Sequence, residues 1–184
     1  MRRTKVQLRR CCGCEMLNPI ADRRARAKGR AGSMTVQPMS GGLYTVHAFE
    51  DLAVGRSESL MRTVMERDVA LFAELSGDAN PIHLCDHFAA NTKFGQRIAH
   101  GMLTGSLVSA LLGTRLPGPG AVYLSQTLTF LAPVKIGDVV TARVEVVELV
   151  AERRRARFFC ECLVDGKAVM EGEAWVAMPP KPRD

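Results

Sequence analysis

From Ser76 to His83 the chain reads Ser-Gly-Asp-Ala-Asn-Pro-Ile-His, which sets a carboxylate, Asp78, and an imidazole, His83, close together in sequence. Gly77, Asn80 and Pro81 make this a tightly turned loop, and Pro81 drives Asn80 out of the helical region. A bend of this kind brings Asp78 and His83 to one side, which is the arrangement general acid–base chemistry needs. Spacing alone also fits plainer roles: Asp78 capping the turn or the next helix, and His83 half-buried with its nitrogens satisfied. The other histidines read as structural. His47 lies in a lead-in segment, His87 on a surface turn, and His100 against the start of a helix.

Two helices position this loop. Glu66 to Ser76 has helical period, with Val69, Phe72, Ala73 and Ser76 on one side and Arg67, Asp68 and Glu74 outside, and Gly77 stops it. Asp86 to Thr92 is a short helical turn that Phe94-Gly95 breaks. The stretch His100 to Gly113 holds no Asp, Glu, Lys or Arg. Met102, Leu103, Leu107, Val108, Leu111 and Leu112 spread round it, so the expectation is a helix buried on all sides. At about 21 Å such a helix is too short to span a bilayer. Gly101, Gly105 and Ser109 fall on one line along it. That line either packs tightly against a strand or lets a ligand approach the backbone.

Beyond the breaker Pro117-Gly118-Pro119-Gly120 the period changes to two. Ser57 to Val64 is a strand, and four more follow over 121–133, 139–150, 156–164 and 168–178. In the first of these four, Val122, Leu124, Leu128 and Phe130 oppose Tyr123, Ser125, Thr127 and Thr129. Gly137-Asp138 is expected to join the first two of the four, and Asp165-Gly166 is a strong hairpin signal between the last two. Short links between long strands predict an antiparallel meander with one greasy face, which the apolar helix would cover. The expected fold class is α+β: a hot-dog fold, an antiparallel sheet wrapped around a long central buried helix.

Charge is unevenly placed along the 184 residues: of the formal +6, residues 1–33 carry +8 and the remainder −2. A near-neutral folded part argues against a nucleic-acid surface. No apolar run is long enough for a membrane helix. Residues 1–40 form a basic leader expected to be disordered. Translation from Met34 or Met39 is the favoured account of it, ahead of a transit peptide, which leaves 41–180 as the single domain. Cys11, Cys12 and Cys14 lie in the leader, where one C-x-x-C is a weak metal signal. Cys85, Cys160 and Cys162 are scattered through the domain, so no disulfide framework is implied and a cytoplasmic location is expected. The run Arg153-Arg154-Arg155, with Arg157, is expected to be a solvated turn. The alternative is a contact to a phosphate group, which arginine suits.

Phe72 to His83, F-A-E-L-S-G-D-A-N-P-I-H, with Phe94 to Leu103, F-G-Q-R-I-A-H-G-M-L, resembles the signature of the MaoC-like, or hydratase 2, family of (R)-specific enoyl-CoA hydratases. The run Leu116 to Val140 is similar to the same family. Resemblance extends over about 57–178 and is nearest to the small single-domain hydratases that feed polyhydroxyalkanoate synthesis.

The resemblance implies that Asp78 and His83 activate the water that adds to a trans-2-enoyl-CoA, giving the (3R)-3-hydroxyacyl-CoA. It implies that Asn80 supports the loop, that the Gly101 N–H binds the thioester carbonyl, and that Ser109 and Leu112 line the acyl pocket. The bare residues agree at the helix start, whose first N–H groups are unpaired and partly positive. No cofactor and no metal are expected, because the CoA thioester is itself the substrate. Two other functions compete: a 3-hydroxyacyl-acyl-carrier-protein dehydratase using the same site in reverse, and a catalytically silent acyl-CoA-binding domain. A homodimer is expected, since a lone hot-dog unit leaves a sheet edge unpaired.

Overall fold

Alternating burial is strongest in three consecutive strands, and they form the centre of the sheet. In the computed structural model, which describes residues 44–178, these are β4 (Val139–Val150), β5 (Arg155–Val164) and β6 (Lys167–Ala177). Val140, Ala142, Val144 and Val146 of β4 face inward with Ala156, Phe158, Cys160 and Cys162 of β5, all fully buried. The hairpin between β5 and β6 turns on Asp165 and Gly166, both at positive φ (49° and 74°), as a two-residue turn matched to strand twist requires. The leader 1–40, with Cys11, Cys12 and Cys14, and the outer limits of the 41–180 domain lie outside the described residues.

The edges depart from the expected meander. All pairings are antiparallel and the order is β1-β4-β5-β6-β2. β1 (Ser57–Thr63) pairs with β4. β2 (Val122–Gln126) lies on β6 at the opposite edge, so Gly137-Asp138 turns the chain without pairing the strands on either side of it. The expected strand 121–133 is also divided, into β2 and β3 (Thr129–Phe130), which both lie on β6. The break falls at Thr127, whose carbonyl sits 1.8 Å from where a Cβ on Gly172 would stand. Only a glycine in β6 lets the chain pass that close. Val122, Leu124 and Phe130 do not join the core: they are 57%, 43% and 50% exposed.

α4 (Gly101–Thr114) lies across the inner face of the sheet. Thr104, Val108, Leu111 and Leu112 are buried against it, and each fully buried aliphatic side chain contributes about 1.5–3 kcal/mol. The expectation of burial on every side fails on the outer face, where Met102, Ser106, Ser109, Ala110 and Gly113 are exposed. A low-polarity helix read from sequence cannot distinguish a face covered by its own chain from one left open.

Of the three helices around the loop, the first and last are expected, and the short one between them falls where the sequence reads as loop. α1 (Glu66–Ser76) buries Val69 and Ala73 and stops at Gly77, whose φ of 78° is left-handed. α2 (Pro81–Leu84) and α3 (Asp86–Ala90) follow. Arg97 ties this region together, donating to Asp86 and to Glu66 at 2.7 Å each.

Candidate active site

The loop from α1 to α2 is held by polar side chains that pass the backbone forward. Ser76 Oγ donates to the Phe72 carbonyl and accepts from Asp78 N–H. Asp78 Oδ1 accepts from Asn80 N–H, and Asn80 Oδ1 accepts from Ile82 N–H, both at 3.2 Å. Asn80 is thus the N-cap of α2, with Pro81 at its first position, a pairing that suits a helix start. Asp78 does cap its turn, as the plainer reading had it, but with one oxygen; Oδ2 has no hydrogen-bond partner among the described residues.

His83 follows within one helical turn of the cap and turns inward, 9% exposed. Its Nδ1 lies 2.8 Å from the carbonyl of Ile98. A carbonyl only accepts, so Nδ1 carries the hydrogen and Nε2 keeps a bare lone pair. Burial pushes the His83 pKa below its ordinary 6.5, more than the bond to Ile98 and the nearby Asp78 carboxylate raise it, and His100 lowers it further. The ring is therefore neutral at neutral pH and able to accept a proton.

The segment between α3 and α4 closes the third side. Ala99 N–H donates to the Val134 carbonyl at 2.7 Å. Leu103 and Thr104 N–H return to the carbonyl of His100, so the amides of Gly101 and Met102 are the two that the start of a helix leaves over. Asp78, His83, His100 and Gly101 border one cavity of about 550 Å³, a size suited to a small organic ligand. Phe72, Ile98, Phe130 and Val169 give it apolar walls, and Lys93 is the cation on its lining.

The cavity brings Asp78, His83 and Gly101 together, with Asn80 behind the loop. It does not reach the other two expected residues. Ser109 is exposed on the outer face of α4, and Leu112, 2% exposed, is part of the core. The small-residue line resolves toward packing over its first half: Cβ atoms on Gly101 and Gly105 would stand 2.8 Å from Phe130 and 3.1 Å from Leu128. Arg154 pairs with Glu50 at the turn before β5, and Arg157, within β5, lies between Glu148 and Glu173, so the arginine run is divided between a turn and a strand and two of its members are ion-paired.

One site residue was missed. His100, read as purely structural, is 2% exposed on the cavity wall with its ring stacked on His83, centroids 3.8 Å apart. The signal on offer was its place directly before the glycine that opens α4. Asp78, His83 and His100 bring potential metal-ligand atoms within 4.8 Å of one another.

An antiparallel sheet over one central helix, with a carboxylate and an imidazole beside that helix's open amide end, defines a hot-dog protein with a candidate acid–base site. Residues 53–159 match the family described as MaoC like domain. A 3-hydroxybutyryl-CoA dehydratase of Methylorubrum extorquens is 61% identical over 72% of this chain and 85% of its own length. An (R)-specific enoyl-CoA hydratase of Rhodospirillum rubrum is 52% identical over 77% of this chain and 98% of its own. The unliganded R-hydratase PhaJ1 from Pseudomonas aeruginosa superposes with a TM-score of 0.69 at 45% identity, covering 72% of this chain and 86% of that one. The chain belongs to the MaoC-like family.

Proposed function

We propose that this protein is an (R)-specific enoyl-CoA hydratase, a hydro-lyase that reversibly adds water to a trans-2-enoyl-CoA to give the (3R)-3-hydroxyacyl-CoA. The observation that carries this reading is the meeting of Asp78, bare His83 Nε2 and the free amides of α4 on one cavity. The names of the relatives, both acting on CoA thioesters, support the substrate class.

The chemistry follows from these groups. The thioester carbonyl binds at the Gly101 N–H, so charge developing on its oxygen meets a fixed donor at the positive end of a helix. Water lies between Asp78 and His83; as its oxygen bonds to the β-carbon, its proton passes to His83 Nε2. The double-bond electrons move onto the thioester oxygen and return as the α-carbon takes a proton from the Asp78–His83 pair. Water is added in full and nothing is oxidised or reduced, so in this reading no cofactor takes part.

Ser109 and Leu112 keep their place in the proposal as contacts for long acyl groups only. Eight residues at about 1.5 Å rise put Ser109 about 12 Å along α4 from Gly101, beyond the end of a four-carbon acyl group. The proposal also includes a homodimer joined at the β2 edge, supported by the exposed Val122, Leu124 and Met102. A cytoplasmic location is supported by the free thiols Cys160 and Cys162; no described helix is long and apolar enough to cross a membrane.

The test is a steady-state assay of the full chain with crotonyl-CoA and with crotonyl on acyl carrier protein, with chiral analysis of the product. Hydration of the CoA ester to the 3R alcohol is expected. A preference for the carrier-protein ester moves the assignment to the dehydratase of fatty-acid synthesis, and no turnover of either ester refutes it.

A further inference from the structure

The second imidazole on the cavity wall makes contacts that the proposed chemistry does not use. His100 Nε2 lies 2.9 Å from the backbone carbonyl of Asp78. That carbonyl can only accept, so Nε2 carries the hydrogen and a neutral His100 has its lone pair on Nδ1. Nδ1 is the buried side-chain nitrogen or oxygen without a hydrogen-bond partner among the described residues. An orphaned buried acceptor is a cost. Turning the ring over to relieve it would give up the bond to the Asp78 loop.

The same ring stacks on His83 at an interplanar angle of 30° and meets the Phe72 ring at 5.0 Å. Its backbone caps α4, one residue before Gly101. One residue thus touches all three parts of the site: the Asp78 loop through a hydrogen bond, His83 through its ring face, and the helix start through the chain. A charge on either imidazole opposes a charge on the other across this stack. The remaining ionisable groups on the cavity lining are Asp78 and Lys93.

We infer that His100 is a positioning residue for the hydration step: its Nε2–H holds the Asp78 loop in register with Gly101, and its ring face holds His83 flat and in the Nδ1–H form. The inference rests on the hydratase reading for its kinetic consequences but not for its geometry. It accounts for the buried orphan nitrogen, because a polar ring here is kept for its donor and its face, at the expense of its acceptor.

Two variants separate the two contacts. His100→Phe keeps a ring against His83 and loses the donor; His100→Gln offers an amide donor to the Asp78 carbonyl and loses the second imidazole. For His100→Phe, kcat on crotonyl-CoA is expected to fall about tenfold to a hundredfold with KM little changed, as a displaced catalytic pair requires. For His100→Gln, kcat recovers in part while the acid limb of the kcat/KM profile moves to higher pH. A purely structural residue would lower the melting temperature and leave that limb in place.

Wild-type protein supplies a readout independent of variant folding and of turnover. Imidazole 15N spectra are expected to show His83 protonated at Nδ1 and His100 at Nε2, with Nδ1 of His100 bare. An Nδ1-protonated His100, or a folded His100→Phe with wild-type kcat, overturns the inference. A wild type without hydratase activity refutes the proposed function, and the spectra still decide the geometry.

Discussion

The ring of Phe130 occupies the space that a side chain on Gly101 would need: a Cβ built there stands 2.8 Å from the ring edge. Two requirements meet at this contact. In the proposed mechanism the helix start stays bare so that its amide can reach a carbonyl oxygen, and β3 presses close enough to wall the cavity. A methyl group at Gly101 forces Phe130, half exposed, to swing, and takes up space where the thioester would lie. Gly101→Ala is therefore expected to stay folded and to lose kcat/KM on crotonyl-CoA by about tenfold to a thousandfold, the range for a disturbed oxyanion donor. An unchanged kcat/KM would place the carbonyl elsewhere.

The pH dependence has a definite sign. In the proposed mechanism His83 is a base, a role open to it only while neutral, and burial, the largest influence on it, lowers its pKa below 6.5. Activity should hold flat through neutral pH and fall only as pH drops through a value under 6.5. A kcat/KM profile with its acid limb above 6.5 contradicts the buried, neutral imidazole.

Stability, not chain length, separates Ser109 from Leu112. Ser109 is exposed and Leu112 lies in the core, so Ser109→Val is expected to leave melting unchanged and Leu112→Ala to cost about 2–5 kcal/mol. Both should alter rates on ten- and twelve-carbon enoyl-CoAs more than on crotonyl-CoA. Equal effects on all chain lengths would mean that the acyl group does not run along α4.

The β2 edge yields a further expectation. Leu124 is 43% exposed on a strand whose outer side has no partner among the described residues. Sedimentation of the full chain should give twice the chain mass, and Leu124→Glu should shift it toward the monomer by burying a charge in the proposed seam. A wild type that sediments as a monomer removes the dimer.

What could be read in the sequence was local. The limits of α1, the stop at Gly77, the Asp165-Gly166 hairpin and the Asp78–His83 loop are each set by residues a few positions apart, and each is found as expected. The partner of Val122–Gln126 is not local: the strand chooses between β4 and β6 through contacts some fifty residues away. Its alternation was genuine, but the greasy side faces an open edge. His100 escaped notice for the same reason, since its stack on His83 exists only once the loop and the start of α4 are folded together. A composition without charge marked α4 as central and could not mark which face stays open.

The central claim is that Asp78 and His83 act together on one water. It is tested most directly by single-turnover hydration of crotonyl-CoA with wild type, Asp78→Asn and His83→Gln, each checked for an unchanged circular dichroism spectrum. Each substitution is expected to slow the reaction by about 10²–10⁴-fold, and the double variant should be little slower than the worse single one, since the two groups act as a unit. Folded single variants with near-normal rates would contradict the account.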